Sequence, residues 1–301
     1  MSTPIYDAHT FWELLERRVA ASGDRSMLID EADRTLSFAE VRDRAERAAA
    51  GFADLGVGEG TPVTWVLPTR IETIVVSLAL SRLGAVQNPI IHIYREREVG
   101  FCIRQTTAEM VLVPGEWNGF DYTAMVAAAT ADLDEPPKVL EVYHDLPDGD
   151  PDTLDPVSTP PAGDDTIRWI YYTSGTTSDP KGAMHTDATL IAGGVGLAQA
   201  LDMGAEDVGS IAFPYAHIGG PDYLVCMLAN GFPAVLVEKF ELVAAIEAYR
   251  RHGVTMAGGS TAFYTMFLGA QRQQADQPLI PSLRMLSGGG APKPPEVYHE
   301  V

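Results

Sequence analysis

The 301-residue sequence has little positive charge and little cysteine. Lysine and arginine number 21 against 41 aspartates and glutamates, so the formal net charge is −20. A surface with this balance lacks a general positive field, which argues against binding nucleic acid or anionic membrane, and an anionic ligand would need a local site. Cys102 and Cys226 are isolated and lack metal-ligand spacing, so we expect buried thiols in a reducing compartment.

The sequence also lacks a long apolar run. Its most apolar stretch, residues 74–80, ends at Arg82 and is too short to span a bilayer. No basic segment followed by an apolar run, the pattern of a secretory signal, opens the chain. We therefore predict a cytoplasmic protein with no nucleic-acid partner and no integral membrane contact, and a homodimer is left open.

Strand-like and helix-like segments alternate through most of the chain. Ser37 and Glu40 have capping-box spacing before a helical apolar pattern that ends at Gly56. Residues 145–165 are acidic, rich in proline and without periodicity, which is typical of a surface linker. Further helices are predicted at 71–83, 121–129, 188–200, 221–229, 242–251 and 262–271, and strands at 63–67, 86–93, 111–113, 138–142, 167–172, 208–213, 234–237, 254–257 and 283–286.

This alternation predicts an α/β fold with two lobes of parallel or mixed sheet covered by helices. We expect a first α/β subdomain over residues 1–165, ending in the linker, and a second over residues 166–301. The pattern breaks off within a predicted helix after Glu296. We therefore expect the second subdomain to be incomplete at its C-terminus.

A polar loop at residues 173–182, Thr-Ser-Gly-Thr-Thr-Ser-Asp-Pro-Lys-Gly, carries most of the candidate chemistry. Its hydroxyls and the backbone N–H groups near its glycines can surround phosphate oxygens, and Lys181, one of four lysines in the chain, adds a positive charge. The spacing differs from the P-loop and from the dinucleotide-binding glycine motif. We predict that the loop runs from a strand ending at Tyr172 to a helix starting near Asp187, at the ligand-binding edge of a parallel sheet.

Residues 172–182 resemble the phosphate-loop signature of the adenylate-forming (AMP-binding) superfamily, Tyr-Thr-Ser-Gly-Thr-Thr-Gly-x-Pro-Lys-Gly, with Ser178 in place of the usual glycine. That superfamily includes acyl- and aryl-CoA synthetases, peptide-synthetase adenylation domains and beetle luciferases. Residues 35–40, 56–58 and 84–86 also look like the family's first lobe. The chain resembles the large N-terminal domain of the acyl-CoA synthetase branch, in particular fatty-acid and cyclohexanecarboxylate ligases, in truncated form.

The resemblance implies which residues would form the binding sites. The phosphates of ATP would contact Thr173, Ser174, Gly175, Thr176, Thr177 and Lys181. The adenine ring would lie against Gly288, Gly289, Gly290, Ala291 and Pro292. The acyl group would lie beside His217, Gly219 and Gly220, with His217 as an aromatic gate next to the carboxylate. Thr173 would also help to hold a magnesium ion.

The resemblance further implies an ATP-dependent acid–thiol ligase. A small carboxylic acid would react with ATP to give an acyl-adenylate, and coenzyme A would then displace AMP to give an acyl-CoA thioester, with Mg²⁺ neutralising phosphate charge. The family's catalytic lysine lies in a C-terminal domain that cannot be mapped before Val301, so no catalytic residue is assigned. We expect a truncated, proteolysed or degenerate member whose 301 residues alone are inactive.

Two other functions are compatible with the same loop. The first is a non-catalytic nucleotide- or acyl-binding remnant of the family. The second is a peptide-synthetase adenylation domain, which requires an acidic anchor for the substrate amino group near the acyl segment. No carboxylate lies between Ile211 and Gly220, which argues against amino acids as substrates.

Overall fold

The computed structural model describes residues 3–157, 163–173, 180–274 and 276–289. The helices in these ranges are α1 (Phe11–Ser22), α2 (Phe38–Asp54), α3 (Ile71–Arg82), α4 (Glu96–Thr106), α5 (Tyr122–Ala129), α6 (Asp187–Ala200), α7 (Gly219–Asn230), α8 (Leu242–His252) and α9 (Thr261–Gln273). The strands are β1 (Ser26–Ile29), β2 (Thr35–Ser37), β3 (Pro62–Trp65), β4 (Val86–Pro89), β5 (Met110–Val113), β6 (Glu116–Trp117), β7 (Phe120–Asp121), β8 (Lys138–Glu141), β9 (Trp169–Thr173), β10 (Lys181–His185), β11 (Gly209–Ile211), β12 (Ala234–Leu236), β13 (Met256–Gly259) and β14 (Met285–Gly288). The predicted α/β fold is confirmed, and none of the described helices is long and apolar enough to cross a membrane.

Local sequence patterns account for two of the helices, α2 and α3. At the start of α2, Ser37 Oγ accepts a hydrogen bond from the Glu40 N–H at 3.2 Å, and the Glu40 carboxylate accepts one from the Ser37 N–H at 2.8 Å, which completes the predicted capping box. Residues 71–80 of α3 are all buried. A helix that is apolar on every side belongs in the interior, and α3 packs there against α1 and α2.

A six-stranded sheet has the strand order β10-β9-β4-β3-β5-β8. Its neighbouring strands are parallel, except for the antiparallel edge pair β9 and β10. The carboxyl ends of the five parallel strands therefore lie along one edge, which is where folds of this class bind ligands.

A second sheet has the order β11-β12-β1-β2, in which only the edge strand β2 is antiparallel to its neighbour. Strands β13 and β14 form a parallel pair beside β11. The Thr255 N–H donates to the Val208 carbonyl at 2.8 Å, and Ser210 Oγ donates to the Met256 carbonyl at 3.3 Å. These bonds align the carboxyl ends of β11, β13 and β14.

Each sheet draws strands from both sides of residue 165. Strands β9 and β10 follow the linker but extend the first sheet, and β1 and β2 from the start of the chain pair with β12 of the later part. The predicted boundary at residue 165 therefore does not divide the sheets. The acidic, proline-rich composition of residues 145–165 predicted a surface linker, but composition carries no information about which strands pair. One hydrophobic cluster also crosses this boundary and includes Trp65, Trp169 and Tyr215.

Candidate active site

The predicted phosphate loop is flanked by two paired strands. Thr173 is the last residue of β9, Lys181 is the first of β10, and the two lie directly opposite each other in the antiparallel pair. The other predicted phosphate ligands, Ser174, Gly175, Thr176 and Thr177, lie outside the described residues. The loop thus leaves the carboxyl end of β9, as predicted, and Lys181 lies at the same edge of the sheet.

The predicted helix start near Asp187 is confirmed, but a strand that was not predicted lies between the loop and this helix. Residues 181–185 form β10, and α6 begins only at Asp187. The cap is Thr186, whose Oγ1 accepts a hydrogen bond from the Thr189 N–H at 3.1 Å. The sequence of β10, Lys-Gly-Ala-Met-His, contains no β-branched residue, so strand propensity gave no signal. Its position as a partly exposed edge strand tolerates that composition.

Side chains on both faces of β9 fix the base of the hairpin. Trp169 and Tyr171 are buried on one face with ring centroids 6.2 Å apart, and Trp169 Nε1 donates to Asp187 Oδ1 at 2.7 Å. On the other face Tyr172 makes an edge contact with Phe101, with centroids 6.3 Å apart. Burial raises the pKa of Asp187. Thr173 therefore follows a segment that is anchored on both sides.

A buried polar chain supplements sparse backbone pairing between β4 and β9. Within the described residues, Gln87 and Trp169 are the one pair in register between these strands. Asn88 Nδ2 donates to the Ile170 carbonyl at 2.9 Å, and Asn88 Oδ1 accepts from Thr64 Oγ1 at 3.0 Å. These bonds tie β9 to β4 and β3, a positioning role for Asn88 that the sequence analysis missed.

The predicted adenine segment begins at the end of β14. Gly288 pairs with Gly259 of β13, and the Gly289 N–H donates to the Gly259 carbonyl at 3.1 Å. The remaining residues of the prediction, Gly290, Ala291 and Pro292, lie outside the described residues. Gly288 and Gly289, the first part of this segment, thus present backbone without side chains at the end of two parallel strands.

Strand β13 contributes two glycines that the sequence analysis missed. Gly258 and Gly259 have φ angles of 141° and 145°. A side-chain carbon on Gly258 would lie 1.7 Å from the Ser287 carbonyl oxygen, so only glycine fits. The signal was present, because Gly-Gly follows directly after the predicted strand at 254–257.

The segment after β11 is held to the first lobe by Thr69. Its Oγ1 donates to the Phe213 carbonyl at 2.9 Å and accepts from the Tyr215 N–H at 2.9 Å. The buried Tyr215 ring stacks on Trp65 with centroids 6.1 Å apart, and its hydroxyl donates to Ser77 Oγ at 3.3 Å. Both ends of the segment 213–215 are thereby fixed.

The three predicted acyl-site residues have different structural roles. The Gly219 N–H donates to His217 Nδ1 at 3.2 Å, which favours the neutral tautomer with its proton on Nε2, and burial lowers the pKa of His217. A side-chain carbon on Gly220 would lie 1.9 Å from the Tyr215 carbonyl oxygen, so glycine is required there. On Gly219 the same carbon would be 3.6 Å from its nearest neighbours, the rings of His217 and Phe213. Gly219 thus leaves space beside His217, whereas Gly220 permits the turn.

The acyl and adenine segments adjoin. A side-chain carbon on Gly259 would lie 3.5 Å from Phe213 Cβ, so the end of β13 is next to the acyl segment. Tyr171, two residues before Thr173, belongs to the same buried cluster as Tyr215. The hairpin base therefore packs on the core that also supports the acyl segment.

A cavity of about 320 Å³ opens beside Phe213 and Pro214. Aromatic rings and basic groups dominate its wall, which includes His92, Arg95, Trp117, Phe120, Lys239 and Phe240. Such a lining suits a planar ligand that carries negative charge. Residues 92–95 and 117–122 are separated in sequence, and the fold brings them together in this wall.

Glu238 fixes the indole that forms one side of this cavity. Trp117 Nε1 donates to Glu238 Oε1 at 2.5 Å, and the same carboxylate accepts from the Tyr143 hydroxyl at 2.7 Å and from Arg70 at 2.6 Å. The His92 ring meets Trp117 edge-on, with centroids 4.9 Å apart. Burial lowers the pKa of His92, which favours the neutral form of this ring. The cavity is thus preformed by a bonded network.

No metal centre is apparent in the part of the chain that the structure describes. It contains no group of three or more His, Cys, Asp or Glu side chains that could hold a metal ion. A threonine hydroxyl alone is a poor magnesium site, because Mg²⁺ requires several oxygen ligands. The assignment of Thr173 to a metal stays a prediction, and no chemical step is built on it.

Comparison with known proteins identifies the family of this chain. The AMP-binding enzyme family matches residues 15–301. The chain belongs to that family. It is 28% identical over 311 aligned residues to 4-coumarate–CoA ligase 5 of Oryza sativa subsp. japonica, covering 99% of this chain and 54% of that protein. It is 30% identical over 300 aligned residues to a salicyl-AMP ligase/salicyl-S-ArCP synthetase of Mycobacterium tuberculosis, covering 92% and 51%. The chain therefore spans about half the length of the curated relatives it matches.

Solved structures show the same fold. The N-terminal domain of FACL13 from Mycobacterium tuberculosis superposes with a TM-score of 0.83 at 21% identity, covering 97% of this chain and 73% of that structure. A long-chain-fatty-acid-CoA ligase from Archaeoglobus fulgidus gives a TM-score of 0.85 at 19% identity, with coverage of 100% and 62%. The predicted likeness to the N-terminal domain of acyl-CoA synthetases is confirmed.

Proposed function

We propose that the protein acts as an ATP-dependent, AMP-forming acid–thiol ligase. The observation that supports this most directly is the position of Thr173 and Lys181 opposite each other at the carboxyl end of β9. This hairpin base packs on the same core as the segment proposed to receive the acid. Family membership and the ligases among the relatives support the same reaction.

The reaction has two group-transfer steps. A carboxylate oxygen of the acid attacks the α-phosphorus of ATP, the new O–P bond replaces the bond to pyrophosphate, and an acyl-adenylate results. The sulfur of coenzyme A then attacks the acyl carbon, AMP leaves with the electron pair of the C–O bond, and the thiol proton passes to solvent. The product is an acyl-CoA thioester.

The chain's own residues would bind and orient rather than react. Lys181 would offset phosphate charge, which matters in a protein whose net charge of −20 cannot attract an anion from a distance. The remaining phosphate contacts proposed at residues 174–177 would come from hydroxyls and backbone N–H groups. Because Gly288 and Gly289 have no side chains, they would let the adenine ring approach the backbone closely. Positioning of two anionic reactants in this way lowers the barrier chiefly through proximity and electrostatics.

His217 would close the acyl site beside the reacting carboxylate. Its neutral ring adds no second positive charge, and its Nδ1 is already bonded to the Gly219 N–H. The gap that Gly219 leaves next to this ring would admit the first atoms of the acyl group. The aromatic cavity beside Phe213 supplies a second surface on the same side, suited to the heterocycle and phosphates of a nucleotide-containing substrate.

The test is a pyrophosphate-release screen with the complete product of the gene. The purified protein is incubated with ATP, Mg²⁺ and a panel of aromatic, alicyclic and fatty acids, and thioester formation is then followed after addition of coenzyme A. We expect at least one acid to release pyrophosphate without coenzyme A and to give a thioester with it. ATP binding without pyrophosphate release from any acid would instead favour the non-catalytic, nucleotide-binding alternative.

Two finer expectations stay predictions. One is the use of magnesium, for which the same screen with and without Mg²⁺ is the measurement. The other is that residues 1–301 alone do not form thioester at an appreciable rate, measured by assaying that segment beside the complete gene product. Turnover equal to that of the complete product would contradict the second expectation.

A further inference from the structure

Thr69 joins the first lobe to the segment that carries the proposed acyl-site residues. It lies between β3 and α3 and is 2% exposed. Its Oγ1 donates to the Phe213 carbonyl and accepts from the Tyr215 N–H, both at 2.9 Å. One hydroxyl thus satisfies the backbone groups on both sides of Pro214. Because a buried hydroxyl used as donor and acceptor at once has a fixed direction, it fixes the two segments relative to each other.

The loop that carries Thr69 is itself held on both sides. Thr73 Oγ1 donates to the Pro68 carbonyl at 2.6 Å, and Arg70 Nη1 donates to Glu238 Oε2 at 2.6 Å. Pro68 and Arg70 are the direct neighbours of Thr69 in the chain. The hydroxyl of Thr69 is therefore a fixed point against which the later segment is placed.

Phe213 belongs to two parts of the candidate site. It is half-buried and is one of the residues that line the cavity of about 320 Å³. A side-chain carbon on Gly219 would lie 3.6 Å from Phe213 Cε2 and 3.6 Å from His217 Nδ1. The Phe213 ring therefore borders the same glycine as the His217 ring. A shift of Phe213 would alter both the cavity and the proposed acyl site.

The same bridge sets the start of the turn that presents His217. The His217 N–H donates to the Pro214 carbonyl at 2.9 Å, and the Gly220 N–H donates to the His217 carbonyl at 2.7 Å. Because Thr69 bonds to the residues directly before and after Pro214, it fixes the peptide groups from which this turn begins. Movement of this segment would displace Phe213 and His217 together.

We propose that Thr69 is a positioning residue for both organic substrates of the ligase, the carboxylic acid and coenzyme A, and that it acts through Phe213. The proposal rests on the function proposed above, in which the segment with His217 receives the acid. The aromatic cavity would receive the nucleotide part of coenzyme A, since the site proposed for ATP lies at the hairpin base and at Gly288 and Gly289. At 2% exposed, Thr69 acts by placing its neighbours and not by binding substrate.

The test uses the complete product of the gene and an acid that releases pyrophosphate in the screen described above. We compare the wild type with Thr69→Val, which keeps the shape but removes the hydroxyl, and with Thr69→Ser, which keeps the hydroxyl. The control is Thr130→Val, because Thr130 is 3% exposed and its Oγ1 donates to the Val126 carbonyl of its own helix at 2.8 Å. For each protein we measure KM for the acid, ATP and coenzyme A, and the free energy of unfolding.

We expect Thr69→Val to raise KM for the acid and for coenzyme A by about fivefold or more, because two backbone groups lose their bonding partner. KM for ATP should change by less than about twofold, since the hairpin base is held by separate bonds. Thr69→Ser should return both raised values to within about twofold of the wild type, because the hydroxyl is restored. Thr130→Val should lower stability and leave all three KM values within about twofold of the wild type.

A double-mutant cycle tests whether Thr69 acts through Phe213. Phe213→Leu should by itself raise KM for the acid and for coenzyme A, because it removes the ring that borders both sites. Combining Thr69→Val with Phe213→Leu should then raise these KM values by less than the product of the two single effects, as expected for residues with one shared role. Effects that multiply would show that the two residues act independently and would overturn the inference.

The other outcomes are equally decisive. A destabilised Thr69→Val protein in which KM rises for only one of the two substrates, or for neither, would overturn the inference and leave the ligase function intact. If Thr69→Val does not fold, Phe213→Leu decides: a rise in KM for both substrates supports the inference, and any other result overturns it. Absence of pyrophosphate release from every acid would overturn the proposed function and this inference with it.

Discussion

Two parts of the candidate site adjoin one core but are built in different ways. One is the hairpin base, Thr173 and Lys181, and the other is the acyl–adenine wall, by which we mean residues 213–220 together with the ends of β13 and β14. Thr173 ends β9, whose side chains are anchored on both faces, and Lys181 on the neighbouring strand β10 is exposed. The wall depends on backbone approaches at Gly220 and Gly258 that leave no room for a side chain. Substitution in the wall should therefore damage the fold, whereas substitution in the hairpin should change ligand binding and leave stability unchanged.

The largest effect is expected at Gly220. In Gly220→Ala the new methyl group would lie 1.9 Å from the Tyr215 carbonyl oxygen. The backbone at position 215 or 220 would therefore have to move. We expect a loss of about 2–4 kcal/mol in the free energy of unfolding, which is typical of a severe steric conflict. Denaturant unfolding measures it. The matched control is Gly219→Ala, whose methyl group has 3.6 Å of clearance and whose change should stay below about 1 kcal/mol. Equal effects at both positions would contradict the division of roles.

Lys181→Ala should reverse that pattern. Because Lys181 is exposed on an edge strand, its loss should leave the unfolding free energy within about 0.5 kcal/mol of the wild type. Loss of one charge-assisted phosphate contact, about 1.5–3 kcal/mol, should lower kcat/KM for ATP by about 10- to 100-fold and leave the KM for the acid nearly unchanged. Lys138→Ala, an exposed lysine on the opposite edge strand, is the control. An effect confined to the acid would show that Lys181 is misassigned.

Asn88 tests whether the hairpin is held by its neighbours. Asn88→Ala removes the bonds to Ile170 and Thr64 and leaves the part-buried Ile170 carbonyl without this donor. We expect a loss of about 1–3 kcal/mol in stability together with a raised KM for ATP, because β9 loses part of its tie to β4. Thr64→Val removes one bond and keeps the shape, so its effect should be smaller. An unchanged KM for ATP in a destabilised Asn88→Ala protein would separate stability from hairpin position.

The sequence predicted the parts of the fold that depend on local pattern. Helical periodicity and the Ser37 cap located α2, and the run of hydroxyls, glycine and lysine located the loop at 173–182. Strand β10 was missed because an edge strand needs no apolar alternation. The hairpin of β6 and β7 was missed although Asn118-Gly119 at its turn is a strong hairpin signal.

Sequence pattern could not predict what depends on long-range pairing. Composition placed a boundary at residue 165, but β9 pairs with β4 across it, and nothing local in either strand specifies that choice. The same limit applies to the site. His217 and Gly220 were recognisable in their segment, whereas the approach of Gly259 to Phe213 depends on how β13 packs beside β11.

Asp222 gives the smallest expected effect and the one that depends on pH. Its pKa in the folded protein is raised to about 6 from an ordinary value near 3.8, because burial disfavours the ionised form. The folded state then binds a proton more tightly than the unfolded state, so this group's contribution to stability falls as the pH rises from about 4 through about 6. The full difference corresponds to at most about 3 kcal/mol, which partial exposure reduces to about 1–2 kcal/mol. Asp222→Asn should therefore raise the unfolding free energy by that amount at pH 7.5 and by much less at pH 4.

The measurement is denaturant unfolding of wild type and variant at matched pH values from 4 to 8. The other ionisable groups coupled to this carboxylate are Tyr171 and Cys226, and burial raises the pKa of both, so neither should titrate in that window. A stability gain that does not depend on pH would mean that Asp222 is not ionised while unpaired in the folded protein. A loss of stability at pH 7.5 would mean that the carboxylate has a bonding partner in the folded protein.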